Sequence, residues 1–183
     1  MTAGILSCKT TTWNYRLPNA WGDNRYAIHQ FLWRAFPHNQ PVKQHAPFRF
    51  RVEADVVLVQ AIGEPVGIPN AKAEVFSWKS GDEGRLKIHL NIHRRKNGND
   101  KPVEHDDVLP FVERALYRTG VSVVDEDLSI IPFKVRGTNG VPVFPVSIDA
   151  GIRVDDNVAL LSAVTTGIGR RKYLGFGMLI LTR

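Results

Sequence analysis

From Arg85 to His93 apolar and polar residues alternate without a break, with Leu86, Ile88, Leu90 and Ile92 on one side and Arg85, Lys87, His89, Asn91 and His93 on the other. A period of two is the geometry of a strand, and a strand that is apolar on one side only must lie in a sheet covered on that side. The opposite face is basic and polar. Helical segments further along the chain can supply the cover. Leu109, Val112, Ala115 and Leu116 recur at helical spacing within 108–117, and Gly120 is placed to end that helix. Strands are predicted at about 121–124, 130–136 and 143–154, with a 137–140 turn containing Asn139-Gly140. Asp155-Asp156 then opens a helix carrying Val158, Leu160, Leu161 and Val164, and 176–181 reads as a last strand. Strand, helix, strand, strand, helix, strand is the split βαβ order of a ferredoxin-like unit.

The first half reads as a trimmed copy. Residues 3–9 form a candidate strand, Pro18 to Gly22 break the chain, and Asp23 is a candidate N-cap for a helix over 24–36. In that helix Ala27, Ile28, Phe31, Leu32 and Ala35 form the stripe expected to pack on a sheet, and Pro37 stops it. Phe48 to Val52 and Asp55 to Ala61 are strand candidates, and Gly63 to Lys72 reads as loop. The expected fold is α+β, two ferredoxin-like domains in tandem, the first trimmed, over residues 1–82 and 83–183.

The 183 residues carry 24 Lys and Arg against 18 Asp and Glu, a formal charge of +6. That balance favours a polyanionic partner such as nucleic acid. Cys8 is the only cysteine, so neither an internal disulfide nor a cysteine-built zinc site is available. Without a basic n-region or a long apolar run, neither export nor membrane insertion is expected, and the chain reads as cytoplasmic.

Two segments can carry chemistry. In Gly167-Ile168-Gly169-Arg170-Arg171-Lys172-Tyr173-Leu174-Gly175-Phe176-Gly177, four glycines bracket three cations between a helix and the last strand. Glycine lets backbone approach a phosphate closely, and Arg and Lys neutralise its charge. A dinucleotide fingerprint would need other spacing and would open a helix rather than come after one. A Gly-rich turn with solvated cations satisfies the same residues. The second segment is the first helix, where Arg25, Tyr26, His29 and Trp33 fall along one flank. Histidine exchanges a proton near neutrality, so His29 beside a phenol and a cation can serve as a general acid or base. Taken alone, a histidine on a helix is more often a packing or idle residue than a catalytic one. His89, His93 and His105 match no zinc spacing, and neither a nucleophilic serine elbow nor a phosphate-binding P-loop is present.

Together, Tyr26-Ala27-Ile28-His29-Gln30-Phe31-Leu32-Trp33-Arg34-Ala35-Phe36 near the start and the paired Gly-x-Gly loop at the end resemble the CasE branch of CRISPR repeat-processing endoribonucleases. The resemblance implies two ferredoxin-like domains binding a CRISPR repeat hairpin RNA, with His29 and Tyr26 in the catalytic histidine and tyrosine roles and Gly167, Gly169, Gly175 and Gly177 as the loop glycines. It implies cleavage without metal or cofactor by 2′-oxygen attack, leaving a 2′,3′-cyclic phosphate and a 5′-hydroxyl. It also implies retention of the guide RNA and association with other CRISPR effector-complex proteins. The chain is shorter than is usual for that branch, around 63–84 and 97–105, which leaves a type I-E or a compact type IV system open and implies loss of a helix in the first domain. Arg25, Arg85, Lys87, Arg94, Arg95, Arg170, Arg171 and Lys172 are the expected RNA contacts. Two other classes fit the same surface: a non-cleaving RNA-binding subunit, and a ferredoxin-like ribosomal or regulatory protein.

Overall fold

A computed structural model describes residues 11–36, 48–54, 56–61, 72–75, 77–124, 128–136 and 138–183. The candidate strand at 3–9, Cys8, His38, His45 and nearly all of 63–72 lie outside the described residues.

The first sheet is built from β1 (Thr11–Pro18), β2 (Phe48–Val52), β3 (Val56–Ala61) and β4 (Lys72–Val75), ordered β2-β3-β1-β4 with every pairing antiparallel. Helix α1 (Arg25–Ala35) comes after β1. Its N-cap is Asn24 rather than the expected Asp23; the Asn24 side chain accepts the Ala27 N–H at 3.2 Å. It ends at Phe36, in extended conformation as a residue before proline favours. The buried stripe is Arg25, Ile28 and Leu32, and Ile28 and Leu32 pack with Tyr15, Phe48, Phe50, Val57 and Val59. Phe31, expected in the stripe, is instead 38% exposed and lies against Trp21.

The second sheet holds β5 (Glu83–Asn91), β8 (Val121–Val123), β9 (Ser129–Pro132), β10 (Pro145–Val154) and β11 (Leu179–Thr182). Its order is β11-β5-β10-β8, and β9 continues the edge beside β10. Helices α2 (His105–Tyr117) and α3 (Asn157–Thr166) cover its apolar face, with Leu86, Ile88, Val112, Leu116, Ile148, Ile152 and Leu160 in one core. Asp156 caps α3, accepting the Val158 and Ala159 N–H groups at 2.9 and 3.0 Å. Both sheets therefore place their strands in the order fourth, first, third, second, and the fold is a tandem α+β ferredoxin-like architecture.

Three local readings change. The polar segment 94–101, which carries no alternation or helical spacing and so reads from sequence as loop, is mostly a hairpin of β6 (His93–Lys96) and β7 (Asn99–Pro102). Its two-residue turn is Asn97-Gly98, both at positive φ (53° and 79°), as an Asn-Gly hairpin turn requires. The last strand begins at Leu179 rather than Phe176, because Gly177 stands at φ 81°, outside extended geometry; its N–H still reaches His89 O of β5 at 2.8 Å, while its carbonyl accepts from Ile168 N at 3.0 Å. The polar face of β5 is solvated only at its start. His89, Asn91 and, just beyond β5, His93 are buried: Arg51 and Arg25 of the first half come near His89, whereas Asn91 meets Phe144 and His93 meets Asp100 and Arg170 within the second half. Residues 77–82 side with the second sheet: Gly81 N–H donates to Val154 O at 2.7 Å and Trp78 packs against its core. Among the described residues no helix is long and apolar enough to cross a membrane.

Candidate nucleic-acid interface

The Gly-rich segment fills the join between the halves. Gly167 ends α3 at φ 67°, where a Cβ would meet Arg49 Nε at 2.9 Å. Gly175 sits at φ 80° with Phe50 and Arg25 as close neighbours. At Gly177 a Cβ would lie 2.0 Å from the Ile168 carbonyl oxygen. These glycines allow strands and helices of both halves to meet around one loop; with Gly167, Gly175 and Gly177 buried, only Gly169 reaches the surface. Arg49 reinforces the join, donating from Nε to Thr166 O at 2.7 Å.

Above the join lies a cleft of about 1110 Å³. Tyr26, His29 and Trp33 of α1 and Phe48 and Arg49 of β2 form one wall; Arg95, Asn99 and Asp100 of the hairpin and Gly169 to Tyr173 of the loop form the other. The structure thus brings together Tyr26, His29, Arg95, Gly169, Arg170, Arg171 and Lys172. His29 is half-buried among Trp33, Phe48 and Tyr173, with ring centroids 5.7, 5.7 and 5.8 Å away. That burial lowers its pKa below the ordinary histidine value, so the imidazole is neutral at pH 7. Its Nδ1 is buried with no hydrogen-bond partner among the described residues, which leaves Nε2 as the nitrogen able to exchange a proton with a bound molecule.

The cations of the loop are held, each differently. Arg171 stands at φ 62° and donates to Asp100 Oδ2 at 2.6 Å, so the hairpin carboxylate offsets the strain of a left-handed non-glycine residue. Asp100 Oδ1 also lies 3.6 Å from His93 Nε2, and Arg170 Nη1 lies 3.4 Å from the same nitrogen. Asn91 accepts Phe144 N–H at 2.6 Å through Oδ1, so its amide nitrogen faces His93 Nδ1 at 3.2 Å. Lys172 Nζ donates to Thr166 O and Gly167 O at 2.9 and 2.8 Å, closing the carbonyl end of α3; burial, then Arg49, lowers its pKa.

Four expected contacts lie elsewhere. Arg25 is 2% exposed: it donates to Leu174 O at 3.0 Å, stacks over Phe176 at 5.2 Å, and has its pKa pulled down to about 10 by burial. It fastens the loop from beneath and is closed to a surface phosphate. Arg85 and Lys87 are exposed on β5 and share Asp149 at 2.6 and 3.4 Å, outside the cleft lining. Arg94 pairs with Asp107 at 2.9 Å, pointing the other way from Arg95, as alternation on β6 dictates. The sequence reading missed Arg49, Asp100 and Tyr173. Tyr173 lay inside the quoted loop; Asp100 was legible only once Asn97-Gly98 is read as a hairpin turn. Among the described residues, no three His, Cys, Asp or Glu side chains converge as a metal-binding group.

Two ferredoxin-like units with a cation-lined cleft at their join make this a tandem α+β protein whose surface suits a polyanion. The family described as CRISPR associated protein matches residues 12–183, and this chain belongs to it. The fold is that of the CasE-type proteins. Thermus thermophilus Cse3 bound to an RNA representing a pre-cleavage complex is similar at a TM-score of 0.76 and 21% identity, over 96% of this chain and 99% of that one. Cas6e from Escherichia coli str. K-12 gives 0.67 and 23%, over 94% and 99%. A chain of the E. coli Cascade bound to a PAM-containing dsDNA target gives 0.60 and 21%, over 92% and 98%. No curated protein matches in sequence.

Proposed function

We propose that this chain is an endoribonuclease that cuts CRISPR precursor RNA at the 3′ base of the repeat hairpin without a metal ion, and that it keeps the mature guide and joins a CRISPR effector complex. The observation that carries the reading is His29, neutral and set in the wall of the cleft facing the cations of the glycine loop. Neutral Nε2 takes the proton of the 2′-hydroxyl as its oxygen attacks the adjacent phosphorus; the bond to the 5′-oxygen breaks, that oxygen takes a proton from water, the imidazolium returns its own to solvent, and a 2′,3′-cyclic phosphate and a 5′-hydroxyl remain. Arg170, Arg171 and Arg95 face the charge that builds on the phosphorane oxygens, where fixed donors are worth most. Tyr26 stands one turn before His29 on the same wall.

The family and the RNA-bound, Cascade-bound relatives support this reading. We propose that the second domain begins at about residue 77, because residues 77–82 attach to the second sheet. A non-cleaving RNA-binding subunit has one observation in its favour: nothing described holds His29 Nδ1 in orientation. Mapping the ends of RNA made from the host's own repeat separates the two. Cyclic phosphate and 5′-hydroxyl ends at one position support cleavage; intact RNA bound tightly points to the non-cleaving subunit.

A further inference from the structure

On the outer flank of α1 a second, shallower groove of about 400 Å³ opens beside the cleft. Trp21 and Phe31 form its floor, their rings 4.7 Å apart at 43°, and Tyr26, Gln30 and Arg34 form the side it shares with the cleft. Phe31 and Tyr26 are 38% and 37% exposed, an unusual outlay of aromatic surface on a helix whose other face is already buried. Among the described residues no carboxylate lines the groove; Arg34 gives it positive charge, and Asn24 and Gln30 offer hydrogen bonds. An acidic or purely apolar partner would leave one of these features unused, whereas a single-stranded nucleotide uses all: rings for the base, Arg34 for the phosphate, amides for the polar edge.

We propose that this groove, formed by Trp21, Tyr26, Phe31, Gln30 and Arg34, is a base-stacking subsite for the unpaired RNA strand that runs past the cut. The inference rests on the proposed cleavage in the neighbouring cleft. Continuity through Tyr26, Gln30 and Arg34 gives the strand a path from His29 around α1. Stacking reads no sequence, because every base has a π face, so the subsite accepts any downstream segment. Once the bond breaks, that segment is held by the groove alone and leaves, while the hairpin stays.

The test uses repeat hairpins with a 2′-deoxy nucleotide before the cut, so that binding is seen without cleavage. One ends at the cut; the other continues for several nucleotides carrying 2-aminopurine. The wild-type protein should bind the extended RNA about tenfold more tightly and quench its 2-aminopurine, since one stacked base accounts for about that gain. Phe31→Ala should bind the bare hairpin as the wild type does, lose the tenfold gain and leave the fluorophore unquenched. A gain that survives in Phe31→Ala, or no gain in the wild type, overturns the subsite. If the wild type binds neither hairpin, the cleavage reading fails, and a short unpaired oligonucleotide containing 2-aminopurine judges the groove alone: quenching that Phe31→Ala abolishes keeps it, and no quenching sinks it.

Discussion

His89 should make the protein acid-sensitive. It is 8% exposed, its ring lies 4.6 Å from that of Phe133, and Arg51 and Arg25 add positive charge nearby. Burial first, then those arginines, pushes its pKa down to about 3. In the unfolded chain it returns to about 6.5, so between these values the unfolded state binds a proton that the native state refuses. Stability from this residue is therefore complete above about pH 6.5 and is lost as pH falls toward 3. Between pH 7 and pH 5 the loss works out at about 2 kcal/mol, from about 1.4 kcal/mol per pH unit once the unfolded imidazole titrates. Urea unfolding at the two pH values measures it. His89→Leu keeps the volume apolar and removes the proton, so its drop should be smaller by about 2 kcal/mol; the lowered pKa of His29 contributes equally to both proteins and cancels. Equal drops in variant and wild type would mean that His89 titrates as if solvated, and its burial would then carry no such cost.

Other outcomes are expected from the same contacts. Arg25→Met should destabilise by about 2–4 kcal/mol in urea melts, because it strands the Leu174 carbonyl and two aromatic faces in a buried site. Gly177→Ala should cost about 3 kcal/mol or more, its Cβ falling on the Ile168 oxygen at a φ of 81°; a melting temperature unchanged within a degree would contradict the packing. Hairpin affinity measured from 50 to 200 mM salt should fall with a log–log slope of about −3 to −4 if about four phosphates are neutralised in the cleft. A flat response would exclude an electrostatic grip.

The second half was legible because its pattern is dictated locally: alternation on β5, helical spacing on α2, and an acidic cap before α3 each imply one element. The site was legible in part. His29 and Tyr26 stood out because the 26, 29, 33 flank diverges from the buried 25, 28, 32 stripe, yet Arg25 was assigned to the wrong one; a guanidinium on an apolar stripe gives no sign of burial until the carbonyls it meets are known. Arg85 and Lys87 show the converse: alternation puts them on a polar face, but nothing local shows that Asp149, 64 residues from Arg85, occupies it or that the cleft lies at the other end of the strand. Burial of His89 beside Arg51 and Arg25 depends on docking of the two halves, and that of Asn91 and His93 on Phe144, Asp100 and Arg170; no periodicity along β5 encodes either.

Whether a neutral histidine in the cleft cuts repeat RNA without metal is decided by cleavage of the host's own repeat RNA in excess EDTA, with His29→Ala alongside. One cut at the 3′ base of the stem is expected, undiminished by EDTA and slowed about 10²- to 10⁴-fold in the variant, while hairpin binding persists. Cutting abolished by EDTA, or unchanged in His29→Ala, would contradict that mechanism.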